Sequence, residues 1–107
     1  MNLNEIANEA KKIEKEIGLT TDDVLNKLTQ ELGEFNDAVQ KFRGRYCKRR
    51  EETVDKIKEE AGDLIINFIS ILKSVGINPE EISKFAENTL KKFKERKELY
   101  IKSLEKY

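Results

Sequence analysis

The segment Leu25-Asn-Lys-Leu-Thr-Gln-Glu-Leu-Gly-Glu-Phe35 decides how the rest of the chain reads. Leu25, Leu28, Leu32 and Phe35, continued by Val39 and Phe42, recur in alternating steps of three and four, the signature of one apolar helix face. Along one flank of that stripe stand Glu31 and Glu34, three residues apart and so on neighbouring points of the helix surface. The same order of residue types, Glu31-Leu-Gly-Glu-Phe35, returns 29 residues later as Glu60-Ala-Gly-Asp-Leu64 in a second helical stretch. Two such helices lying side by side would bring four carboxylates together. Two unit like charges ~4 Å apart repel by ~4 kcal/mol at an effective dielectric of about 20. A divalent cation offsets that repulsion, so Glu31, Glu34, Glu60 and Asp63 read as a metal site whose oxygen ligands suit Mg²⁺, with Mn²⁺ as a substitute.

Working outward, the chain reads as four helices. In the first, Leu3, Ile6, Ala10, Ile13 and Ile17 form the apolar stripe and Gly18 is the stop. Thr20 or Thr21 caps the second, with Asp22 and Asp23 in its first turn, where the helix dipole favours acids, and Gly44 ends it. The third runs from about Glu52 to Val75, closed by Gly76. Asn78-Pro-Glu-Glu81 is the entry of the fourth, with Asn78 as cap, Pro79 at the first helical position and Glu81 reaching back. Ile82, Ala86, Leu90, Phe93, Tyr100 and Leu104 form its expected buried side. Connections this short predict antiparallel neighbours, hence an all-α four-helix bundle over a single domain, residues 1–107.

The third helix carries extra information. Leu64-Ile-Ile-Asn-Phe-Ile-Ser-Ile-Leu72 is apolar nearly all round, and a second buried face predicts contact with another subunit, an oligomer that completes the bundle. Within the antiparallel pair, Glu34 stands ~15 Å before the turn and Glu60 ~12 Å after it, so the two acidic motifs are level. Gly33 and Gly62 occupy matched slots, although glycine inside a helix costs about 1 kcal/mol relative to alanine. Close approach of backbone, metal or ligand is the expected reason.

Composition removes several chemistries. The chain has no histidine, which excludes Ser-His and Cys-His catalysis and histidine metal sites. Its one cysteine, Cys47, has no base to activate it and reads as a free thiol in a reduced compartment. Lysine plus arginine balances aspartate plus glutamate at 21 each, so the whole-chain charge favours neither nucleic acid nor membrane. The absence of a signal peptide or a membrane-spanning apolar run predicts a cytoplasmic protein. Residues 41–50 hold six basic residues and no acid, yet no phosphate loop or recognition helix accompanies them, so nucleic-acid binding is the weaker reading. Basic groups do fall where phosphates would need them. Lys56 is one turn before Glu60, and Asn88, Lys92 and Arg96 recur at i, i+4, i+8 on the fourth helix. Magnesium keeps some waters for phosphate and nucleophile, so a polyphosphate ester is the expected substrate class.

The paired motifs Glu31-x-x-Glu34 and Glu60-x-x-Asp63, the GINPEEI entry of the fourth helix, and Lys92-Phe93-x-x-Arg96 together resemble the MazG-like all-α nucleoside triphosphate pyrophosphohydrolases over about residues 20–97. The resemblance implies hydrolysis of a (deoxy)nucleoside triphosphate to monophosphate and pyrophosphate with Mg²⁺, in nucleotide-pool house-cleaning, by a dimer or a dimer of dimers. It implies Glu31, Glu34, Glu60 and Asp63 as metal ligands, with Glu34, or else Glu31, activating water. Lys56, Lys92 and Arg96 would hold the triphosphate, and Asn67 and Asn88 would contact sugar or phosphate. The related phosphoribosyl-ATP pyrophosphatases usually follow the second motif with Tyr-His, where this chain has Ile66-Asn67. A reading from another class is a non-catalytic helical adaptor that buries the Leu64–Leu72 surface against a partner.

Overall fold

The computed structural model describes residues 1–45 and 54–105. They form four helices, α1 (Leu3–Glu16), α2 (Thr21–Phe42), α3 (Val54–Ser74) and α4 (Ile82–Glu105), with a 3-10 turn at Pro79–Glu81 before α4. No strand occurs among the described residues, and no helix among them is long and apolar enough to cross a membrane. The all-α reading holds. Tyr46, Cys47, the second half of the basic run and the expected start of the third helix near Glu52 lie outside the described residues.

Local chemistry sets the helix ends. Thr20, not Thr21, caps α2: its Oγ1 accepts from the Asp23 N–H at 3.1 Å, and Asp23 Oδ2 accepts from the Thr20 N–H at 2.8 Å. The bond from the Thr20 N–H, and secondarily the Thr20 side chain beside it, hold the Asp23 carboxyl below the usual carboxylate range. Gly18, Gly44 and Gly76 follow α1, α2 and α3 with φ of 76°, 73° and 83°, the left-handed conformation that closes a helix at little cost only in glycine. At the entry of α4, Asn78 Oδ1 accepts from the Glu80 N–H at 2.9 Å. The expected reciprocal bond from Glu81 is not among those of the described residues. The neighbouring Glu80 instead turns its carboxylate to the Asn4 N–H of α1, at 3.1 Å.

α3 is the central element and packs against both α1 and α2, which among the described residues make no close helix–helix contact with each other. The α1–α3 seam is antiparallel and polar: Ser70 Oγ donates to Glu14 Oε2, Lys11 Nζ donates to Glu14 Oε1 and to Ser74 Oγ, and Lys73 Nζ donates to Asn4 Oδ1. Two flanking helices account for part of the all-round apolarity of α3, since Ile69 is buried in the core with Ala7, Val24 and Ala38. Ile65, Ile66 and Phe68 remain exposed.

The expected burial of α4 needs correction. Among the described residues α4 packs only against the 3-10 turn at its own start, and Leu90, Phe93, Tyr100 and Leu104 are 51–65% exposed. Ala86 is exposed as well, and Ile82 is half-buried. An apolar stripe records that a face must be covered, not which chain covers it. The consequence is measurable: the radius of gyration is 18.3 Å, against about 13 Å for a compact domain of this length. The accessible surface is 8496 Å², against roughly 6,200 Å² for a folded monomer of 12.5 kDa.

Candidate functional site

Because α2 and α3 are antiparallel neighbours, their acidic motifs meet across the seam. Glu31, Glu34 and Glu60 each place a carboxylate oxygen within 4.8 Å of the other two. Glu60 is 7% exposed, Glu31 is half-buried and Glu34 is exposed, so the cluster opens to solvent at its Glu34 side. Glu31 Oε2 and Glu60 Oε2 are buried with no hydrogen-bond partner. Leaving a buried acceptor unpaired costs ~1–3 kcal/mol, more when it is charged. Burial first, then the hydrogen bond and charge of Glu34, then the charges of Asp63 and Glu60, push the Glu31 carboxyl above the ordinary glutamate range.

The fourth acid of the sequence reading stands slightly apart. Asp63 is exposed, lies outside the group of three, and is close enough for its charge to act on Glu31. This donor set fits a hard divalent cation: carboxylate oxygens only, two of them buried and unpartnered, with solvent access left for water ligands.

Around the acids, Lys56 Nζ lies 3.0 Å from Glu60 Oε1 and 3.9 Å from Glu59 Oε2, one turn ahead of the second motif as expected. Gln30 Nε2 donates to Glu34 Oε1 at 3.1 Å and orients that carboxylate. Asn67 Nδ2 donates to the backbone carbonyl of Asp63 at 2.8 Å. Asn88, Lys92 and Arg96 are not brought to the acids within the chain. They are exposed on α4, where the Arg96 guanidinium lies 6.0 Å from the Phe93 ring centroid. Gly33 and Gly62 also depart from expectation: among the described residues, no atom beyond the local helix backbone stands within 4 Å of where a Cβ would be, so no close approach between described elements explains them.

A cavity of about 380 Å³ adjoins the cluster, with Glu31, Asp63 and Asn67 at one side and Glu14, Ile17 and Lys27 among its other walls. Sequence reasoning missed Glu14 and Lys27. Glu14 could have been found, because it sits seven residues after Ala7 and four after Ala10, inside the arc that α1 turns toward α3. No aromatic side chain lines this cavity; Phe35 and Phe42 are half-buried and Phe68 is exposed on a different surface, with Leu28, Leu32, Leu64 and Ile65.

An antiparallel helical pair carrying matched acidic motifs defines an all-α protein with a candidate cation site. The family model of the MazG nucleotide pyrophosphohydrolase domain matches residues 19–100, which include both motifs and most of α4. The chain belongs to that family. No curated protein matches it, and no solved structure does.

Proposed function

We propose that the chain hydrolyses (deoxy)nucleoside triphosphates to monophosphate and pyrophosphate with Mg²⁺, in the house-cleaning of nucleotide pools. The observation that carries this reading is the convergence of Glu31, Glu34 and Glu60 within 4.8 Å, with two of their oxygens buried and unpartnered. Glu31, Glu34, Glu60 and Asp63 would hold the cation. When bound, the ion offsets carboxylate charge and the charge that develops on the phosphates. Glu34 is the most open of the three clustered acids and is oriented by Gln30, which suits it to take the proton of the attacking water. The products require that water oxygen bonds to phosphorus while the α–β anhydride bond breaks, and the electron pair leaves with pyrophosphate.

The reading includes a homodimer or dimer of dimers. The chain exposes roughly 2,300 Å² beyond a compact monomer, and an interface of standard size buries about 800 Å² per partner. Two unpartnered surfaces are available: the groove lined by Leu28, Leu32, Leu64, Ile65 and Phe68, and the apolar stripe of α4. In a twofold exchange, α4 of one copy covers the groove of the other. Its basic face then approaches the partner's acids, which is how Lys92 and Arg96 would join Lys56 in holding a triphosphate and Asn88 would reach sugar or phosphate. The test is pyrophosphate release from a triphosphate panel with Mg²⁺. Activity should disappear in Glu34→Gln and Asp63→Asn with helicity retained; undiminished turnover in both would remove the assignment.

A further inference from the structure

We propose that the cavity between α1, α2 and α3 seats the nucleoside part of the substrate, and that Glu14 selects a guanine-type base. This deepens the reading above and rests on it. The cavity, about 380 Å³, is within the size range of small-ligand sites. One end of it is bounded by Glu31 and Asp63 of the candidate metal cluster, and Glu14 lines it as well. Ser70, the α3 residue bonded to Glu14, is seven residues from Asp63, or ~10 Å along the helix. That separation suits a nucleoside whose phosphate end lies at the acids and whose base edge lies at Glu14.

The walls and the floor differ in chemistry. Ile13, Ile17 and Ile66 line the cavity, yet are 54%, 66% and 41% exposed, so a planar base would cover apolar surface that the chain leaves open. Glu14 stands beside these isoleucines as a carboxylate, with Lys27 among the other walls. Its Oε2 accepts from Ser70 and its Oε1 from Lys11, one donor on each oxygen. A carboxylate has about four acceptor positions, so each oxygen keeps one. Two adjacent acceptors match two adjacent donors. Guanine offers such a pair, a ring N–H beside an exocyclic amino group. Adenine and cytosine place the amino group beside a ring acceptor, and thymine and uracil place a single ring N–H between carbonyls.

The experiment compares pyrophosphate release from dGTP, dATP, dCTP and dTTP by wild type and by Glu14→Gln. Wild type should favour dGTP by roughly tenfold to a hundredfold, the value of one or two hydrogen bonds to a charged acceptor. Glu14→Gln keeps the side-chain shape and turns one acceptor into a donor, the arrangement that pairs with adenine. The ratio of kcat/KM for dGTP over dATP should then fall at least tenfold. If Glu14 only ties α1 to α3, thermal stability would change and this ratio would not; an unchanged ratio overturns the proposal. Binding of dGMP and dTMP, measured by calorimetry without turnover, separates this inference from the hydrolase reading. Preferential dGMP binding that Glu14→Gln abolishes, in a chain that turns over no triphosphate, supports the base site and removes the hydrolase. Equal turnover of all four triphosphates leaves the hydrolase standing and overturns base selection.

Discussion

Glu31 on α2 and Glu60 on α3 hold carboxylate oxygens within 4.8 Å of each other, and the Oε2 of each is buried without a partner. Neither helix alone produces this arrangement. It arises because α2 and α3 pack antiparallel around the buried Val24, Ala38 and Ile69, which brings the two acidic motifs level across the seam. The energy of the acidic cluster is therefore supplied by helix packing, and a bound cation would return part of it.

Mg²⁺ should raise the thermal midpoint of the wild-type chain, by an amount corresponding to about 2.7 kcal/mol at a hundredfold excess over its dissociation constant. Glu31→Gln should reverse the balance. Without metal it removes one member of a repulsive group, and the chain should gain on the order of 1 kcal/mol after solvent screening. With Mg²⁺ it should show little further shift. Differential scanning fluorimetry with and without Mg²⁺ reads both effects, and a Mg²⁺ response in Glu31→Gln equal to that of wild type would contradict the ligand assignment.

Exchange of α4 between copies predicts complementation. A chain carrying Lys92→Ala and Arg96→Ala and a chain carrying Glu34→Gln should each be inactive alone. Mixed through denaturation and refolding, they form heterodimers in which one of two sites has intact acids and an intact partner helix. For random twofold pairing, activity should recover to roughly a quarter of wild type. No recovery, in a mixture shown by native mass spectrometry to contain heterodimers, would place the basic residues and the acids on the same chain. Phe68→Asp, in the apolar groove, should shift sedimentation toward monomer.

Gly33 and Gly62 stand inside helices with open space where a Cβ would be. Alanine at either position should therefore stabilise the isolated fold by about 1 kcal/mol, the helix-propensity difference. If a ligand or a second copy approaches these faces, the same substitutions should lower turnover or weaken association while the thermal midpoint rises. A rise in stability with activity and oligomeric state both unchanged would leave the matched glycines without a role at the site.

Much of this was legible in the residues. The stripe from Leu25 to Phe42 and the glycine stops at 18, 44 and 76 gave the helices their order and ends, because periodicity and left-handed backbone are local properties. The level placement of Glu34 and Glu60 followed from the rise per residue alone. The position of α4 did not follow, since Leu90, Phe93, Tyr100 and Leu104 mark a face to be covered whether the cover is the same chain or another. Glu14 was hidden for a different reason. A glutamate among lysines reads as solvated; its place on the same arc as Ala7 and Ala10 is the one local sign that it faces α3, and the contact with Ser70, 56 residues away, makes it plain.

The cap of α2 is the remaining test, and it bears on the site because Thr20 starts the helix that carries Glu31 and Glu34. Thr20→Ala removes the side-chain acceptor for the Asp23 N–H and should cost about 1 kcal/mol of stability. Asp23 supplies the pH dependence. Its pKa is depressed in the folded chain by its bonds to Thr20, so its contribution is fully present above the unfolded carboxylate value of ~3.9. That contribution is lost as pH falls through the depressed folded value. The gap in thermal midpoint between wild type and Asp23→Asn should accordingly be constant at neutral pH and narrow only in this acid range. A gap that stayed the same down to the acid limit of folding would show that the carboxylate of Asp23 does not stabilise the start of α2.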